Sequence, residues 1–174
     1  MIRSQILTIS LVILMFSLYA CSTSSKKNTE GSKKDAAVAV DCAGGSIKSE
    51  AVDEIIIDGQ SCLIIGVTVE RSVRVMNSAA IIMVENDVGH GIEVTDSAFV
   101  GIVNNRIISG DLEVIENGQV QVLDNRLLDG DIRVIGNDDV DVNRNEASGD
   151  ISCDDNKQLD SFLNHAGGKE DCRR

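Results

Sequence analysis

The sequence predicts an all-β chain wound into a parallel coil, a solenoid of about six short rungs. The stretch "NNRIISGD" at residues 104–111 returns as "DNRLLDGD" at 124–131, twenty residues later. Within and around these stretches aliphatic residues alternate with polar ones at period two, the strand pattern, and no helical spacing competes with it. Aromatics are only 2% of the chain and proline is absent, while hydrophobic residues reach 43%. Such a core has to be filled with small branched side chains, which suit narrow strand packing.

Set in register, the chain gives lines beginning at Val73, Ile92, Leu112, Ile132 and Ile151, in steps of 19 or 20 residues. The aliphatic columns then read across the lines. Two positions on stand Val75, Val94, Val114, Val134 and Cys153; eight on, Ile81, Val100, Val120 and Val140; ten on, Met83, Ile102, Val122 and Val142; fifteen on, Val88, Ile107, Leu127 and Ala147. Three short strands per line, joined by turns, describe one rung of a coil whose layers stack at about 4.8 Å. Like then sits above like. The column Asn86, Asn105, Asn125, Asn145 falls at a corner, where each amide offers a donor and an acceptor to its neighbours and satisfies backbone groups at the bend.

Over residues 55–156 these columns resemble the right-handed parallel β-helix of pectate-lyase-like repeat proteins. Strand starts at offsets 0, 8 and 13 depart from the regular six-residue spacing and 18-residue rung of the left-handed form. Upstream, Ile55, Ile57, Leu63, Ile65 and Val67 or Val69 are interior candidates of weaker rungs, and Val38, Val40, Ile47 and Val52 of fainter ones, so the coil is expected over 37–156. Residues 157–174 leave the pattern. Leu159, Phe162 and Leu163 are spaced i, i+3, i+4 and predict a short C-terminal helix, capped by Asp155 or Asn156 and ended by Gly167 or Gly168. Its stripe would cover the last rung; an irregular loop pinned by a disulfide is the alternative.

The first twenty residues read as an export signal. Arg3 precedes an apolar run from Ile6 to Ala20, too short for a comfortable span of about 20 residues. The run ends "LYAC", which resembles the lipobox of bacterial lipoproteins and implies that Cys21 becomes the first mature residue and carries acyl chains such as palmitate. An uncleaved anchor is the alternative. Ser22 after the cysteine implies sorting to the outer membrane. Residues 21–36 are polar and predict a flexible tether. Between residues 22 and 34 four lysines face one glutamate; from Asp35 onward 11 Lys/Arg face 27 Asp/Glu. An acidic body excludes a nucleic-acid partner, which requires the opposite sign.

Setting Cys21 aside leaves Cys42, Cys62, Cys153 and Cys172, which in an exported chain read as two disulfides. The repeat selects among the three pairings. Cys42 and Cys62 are one rung apart, as are Cys153 and Cys172, and a rung spacing lies within the roughly 4.4–6.8 Å that a disulfide spans between Cα atoms.

Chemistry was sought on the outward columns. Glu93 and Glu113 lie one rung apart, near the ~5–5.5 Å of paired glycosidase carboxylates. Arg74 and Arg133 flank them, however, and predict an ion ladder; Asp87, Arg106, Arg126 and Glu146 form a second. Asp111, Asp131 and Asp150, each after a glycine, are weak calcium candidates, with a solvated turn as the competing reading. His90 and His165 stand outside any ligand cluster, and no nucleophile, phosphate-loop or zinc motif is present. No cofactor is expected. The expected function is a non-catalytic binding or structural module that engages an envelope protein or glycan through one face of the coil. The alternative is a polysaccharide-active lyase or hydrolase of the β-helix class; a calcium-stabilised spacer is a third possibility.

Overall fold

Each turn of the chain spends 17 to 20 residues on three short strands and three corners. The computed structural model describes Cys42, residues 45–48 and residues 51–172. Cys21, the export signal at 1–20, the tether at 21–36 and the start of the coil at 37–41 lie outside the described residues. Rung 1 comprises β1 (Ser46–Lys48), β2 (Ala51–Val52) and β3 (Ile55–Asp58). Rung 2 is β4 (Cys62–Ile65), β5 (Thr68–Val69) and β6 (Val73–Met76); rung 3 is β7 (Ile81–Val84), β8 (Asp87–Val88) and β9 (Ile92–Thr95). Rung 4 is β10 (Phe99–Val103), β11 (Arg106–Ile107) and β12 (Leu112–Ile115); rung 5 is β13 (Gln119–Leu123), β14 (Arg126–Leu127) and β15 (Ile132–Ile135). Rung 6 is β16 (Asp139–Asn143), β17 (Glu146–Ala147) and β18 (Ile151–Ser152), and rung 7 is β19 (Gln158–Phe162), β20 (His165–Ala166) and β21 (Glu170–Asp171).

Equivalent strands of successive rungs pair in parallel, so the coil has three seven-stranded sheets. Sheet I runs β1-β4-β7-β10-β13-β16-β19, sheet II β2-β5-β8-β11-β14-β17-β20, and sheet III β3-β6-β9-β12-β15-β18-β21. The registry is that of the repeat: Val100 pairs with Ile81 and Val120, Leu112 with Ile92 and Ile132, Ile107 with Val88 and Leu127. Alternate residues of each strand point inward, and the inward columns form one aliphatic core, from Ile47 to Ile151, in which nearly every side chain is inaccessible. Phe99 and Phe162 both lie on the outer face. The fold is thus an all-β parallel solenoid.

Two expectations need correction. The coil has seven rungs, not six, and among the described residues there is no helix. Where the spacing of Leu159, Phe162 and Leu163 suggested one, the chain forms β19, which pairs residue for residue with β16. Leu159 lies beneath Val140 in an interior column, whereas Phe162 and Leu163 sit outside, at the corner. Backbone pairing onto the exposed edge of β16 satisfies every rung-facing N–H and C=O of that edge, and a short helix laid across it could not.

Both disulfides form as the repeat spacing indicated. Cys42–Cys62 has a Cα–Cα distance of 5.6 Å and Cys153–Cys172 one of 4.7 Å. They staple the first and last described rungs, where a stack of layers frays.

Candidate functional site

The polar residues sort into corners, two charged faces and one uncharged face, and each group has its own chemistry. At the corner after sheet I, Asn105 Oδ1 accepts from the Asn86 N–H at 3.0 Å, Asn125 Oδ1 from the Asn105 N–H at 2.9 Å, and Asn145 Oδ1 from the Asn125 N–H at 3.0 Å. Each Nδ2 donates back to a strand carbonyl, that of Asn125 to Ile102 O at 2.8 Å. Asn164 continues the ladder in rung 7. Every amide group is consumed by its neighbours, so the row is scaffold.

A second ladder at the corner after sheet III escaped the sequence reading: Ser78, Ser97, Asn117, Asn137 and Asn156. The Ser97 N–H donates to Asn117 Oδ1, the Asn117 N–H to Asn137 Oδ1 and the Asn137 N–H to Asn156 Oδ1, at 2.8–2.9 Å. Serines in the first two rungs interrupt the asparagine signal, yet Ser97 Oγ still accepts from the Ser78 N–H at 3.2 Å. The third corner uses aspartate. Asp111 Oδ1 accepts from the Asp131 N–H at 2.9 Å, Asp131 Oδ1 from the Asp150 N–H at 2.8 Å, and Asp150 Oδ1 from the Lys169 N–H at 2.6 Å. Arg133 reaches Asp111 at 3.2 Å and Asp131 at 2.9 Å. The calcium candidates therefore spend their oxygens on backbone N–H groups and an arginine, and they stack into a ladder that does not converge on a point.

Sheets II and III carry the ion ladders. On sheet III Glu93 and Glu113 are partners in register, and each is taken by an arginine: Glu93 by Arg74 at 2.8 Å, Glu113 by Arg133 at 2.9 Å. The hydrogen bonds that Arg133 donates to Glu113 and Asp131, with the charge of Asp111 nearby, hold its guanidinium above its ordinary range. On sheet II Arg106 meets Asp87 at 3.6 Å and Arg126 meets Glu146 at 3.3 Å. These exposed pairs contribute at most about 1 kcal/mol each. His90 Nδ1 is 3.4 Å from Ser109 Oγ, but that hydroxyl donates to Gly89 O at 3.0 Å, so the serine lacks the bond to a base that activates a nucleophile. His165 is exposed on β20, below Glu146. One hollow, about 250 Å³, is a shallow depression over Arg74, Glu93 and Asp111.

Sheet I differs. The outward positions of β4, β7 and β10 are Leu63 and Ile65, Ile82 and Val84, then Phe99, Gly101 and Val103. None is charged and only the glycine lacks an apolar side chain. A Cβ on Gly101 would lie 3.6 Å from the Phe99 ring and 3.8 Å from Ile82, ordinary contact distances, so ring and isoleucine flank the glycine on the outer face. Ile82 is 6% exposed although it points outward. Below rung 4 the same face turns polar, with Gln119, Gln121 and the covered Leu123 on β13, then Asp139, Asp141 and the buried Asn143 on β16, and Asp160 on β19. The Asp141 carboxyl is pushed up to about 6, first by burial and then by the charge of Asp160 beneath it, against the pull of Arg144. Asn143 Nδ2 donates to Asp141, and its Oδ1 accepts from the Phe162 N–H at 2.8 Å. Elsewhere Ile108 and Leu128 are exposed in a single file on sheet II, while Met76, Ile115 and Ile135 are half-covered on sheet III.

Compared with models of known families, with curated proteins and with solved structures, the chain matches none.

Proposed function

We propose that the chain is a non-catalytic binding module, lipid-anchored through Cys21 to the outer membrane, that engages an envelope or extracellular partner through sheet I. The observation that carries this reading is the uncharged face. Seven consecutive outward positions without a charge, on β4, β7 and β10, stand on a molecule whose other two sheets carry ladders of Arg and Asp/Glu. Contiguous apolar surface rimmed by polar residues is characteristic of a contact surface. The anchor rests on the resemblance of "LYAC" to a lipobox, and it places the membrane as the first partner through the acyl chains.

Catalysis on polysaccharide has less support. The two carboxylates with glycosidase-like spacing are held by Arg74 and Arg133, and the hollow beside them is a shallow depression that does not enclose a sugar ring.

The test is crosslinking in intact envelopes of the cells that make the protein. Leu63→Glu with Val103→Glu is expected to abolish the crosslinked species while leaving the purified chain folded. Cys21→Ser is expected to move the chain from the membrane to the soluble fraction. Release of reducing ends or unsaturated products from a polysaccharide panel by wild-type protein would overturn the non-catalytic reading.

A further inference from the structure

Building on the reading of sheet I as a contact surface, we propose that its occupant is the same surface of a second copy of this chain, in an antiparallel two-fold arrangement centred on β7. Two observations select this occupant and this register.

The first is the charge gradient along sheet I. Rungs 2–4 are uncharged, and Asp139, Asp141 and Asp160 follow in rungs 6 and 7. A parallel pairing of two such faces would set these carboxylates against their own copies, and like charges across an interface cost several kcal/mol. In the antiparallel pairing rung 3 meets rung 3, rung 2 meets rung 4 and rung 5 meets rung 1. Apolar then covers apolar, and the acidic rungs slide past the upstream end of the partner.

The second is the sign of what lies at that upstream end. Lys48 is exposed on β1, and Lys33 and Lys34 precede Cys42 in the chain. In this register β1 of one copy faces β13 of the other, one rung from Asp139 and Asp141 on β16, so Lys48 of each copy comes beside the carboxylates of the other, twice by symmetry; Lys33 and Lys34 are of the same sign upstream in the sequence. The area fits a reversible pair. Three rungs of five residues cover about 14 by 16 Å, or roughly 230 Å² of flat face per copy. That is well below the ~800 Å² per partner of a stable interface, so rungs 1 and 5 have to contribute, and association is weak and salt-dependent.

The test places a photo-reactive benzophenone side chain at Gln121 of the full-length protein, in envelopes of cells that make it, with Arg106 on sheet II as the control position. Irradiation of the Gln121-labelled protein is expected to give a species of twice the mass whose joined peptide contains residues 46–48 of the second copy. The Arg106 label gives none. Lys33→Glu with Lys34→Glu and, separately, Leu63→Lys each lower the yield at least tenfold, with the melting temperature of the purified protein recording that the coil is intact. A peptide joining β13 to β13 would overturn the antiparallel register. An adduct with another protein, or with residues 1–41 of the same chain, would remove the second copy and leave sheet I a contact surface. An absence of any adduct from the face would remove both.

Discussion

The buried asparagines are the residues on which the layers depend. Asn125 makes four hydrogen bonds, accepting from the N–H and Nδ2 of Asn105 and donating to Ile102 O and Asn145 Oδ1. Replacing it with alanine leaves the Asn105 N–H and the Ile102 carbonyl buried without partners, at about 1–3 kcal/mol each. Asn125→Ala is therefore expected to cost about 3 kcal/mol in urea unfolding. Asn125→Asp costs at least as much at pH 7, because a carboxylate cannot donate to Ile102 O and places a charge where the side chain is 1% exposed. Asp141 predicts a pH dependence of opposite sign to the usual carboxylate. Its folded value of about 6 lies above the ordinary 3.8, so folding favours the protonated form. The stabilisation is fully present below about pH 4 and is lost as pH rises through 6. Asp141→Asn removes this, so the melting temperature of wild type, compared with the variant, falls between pH 4 and pH 7. A flat difference would contradict the assignment. The sequence made one asparagine row legible because all four members align. It hid the second, because serines stand in two of its rungs.

At the scale of strands and corners, the bends after sheets I and III share one design: a left-handed residue followed by the ladder residue. Glycine fills the left-handed position at Gly59, Gly66 and Gly136, but Asn77, Glu85, Asp96, Asn104, Glu116, Asp124, Arg144, Asp155 and Leu163 hold φ between 51° and 57°. For residues other than Gly, Asn and Asp this conformation costs on the order of 1 kcal/mol or more. Glu85→Gly and Leu163→Gly are accordingly expected each to raise the unfolding free energy by about 0.5–1 kcal/mol, measured by denaturant titration. A loss would mean that these side chains do something the backbone does not reveal. Eight of these twelve positions are Gly, Asn or Asp, which tolerate the conformation; at Glu85, Glu116, Arg144 and Leu163 no such signal marks the corner, and the left-handed conformation is imposed by the strands on either side. The last rung was misread for a related reason. The spacing of 159, 162 and 163 imitates a helix stripe, although Asn156 and Asn164 each stand nineteen residues after a ladder asparagine and carried the correct signal.

Across the whole molecule, each rung touches only its neighbours, so stability is close to a sum of layer-to-layer terms and the ends are its weak points. Each disulfide closes a loop of about twenty residues and contributes about 3 kcal/mol by constraining the unfolded chain. Replacing Cys153 and Cys172 together by serine is expected to speed amide exchange through β19–β21 while leaving β9–β13 protected; uniform loss of protection would show that the coil unfolds as one unit. Strand order and both cystines follow from the nineteen-to-twenty-residue interval; the rung number comes out one short, because the last rung reads as a helix in sequence. The apolar face was hard to read because Leu63 and Ile65 pass for interior residues in sequence, whereas Cys62 and Ile64 take the core positions of β4 and turn both outward.

All of this depends on residues one rung apart lying directly against one another, and the bond between Asn105 and Asn125 reports that contact without intermediaries. In a uniformly labelled sample, NMR scalar coupling across the hydrogen bond is expected between the Asn105 backbone nitrogen and the Asn125 side-chain carbonyl carbon, twenty residues away. A coupling from that nitrogen to a carbonyl within a few residues in sequence, or to one in an antiparallel hairpin partner, would contradict the stacked coil and every assignment built on it.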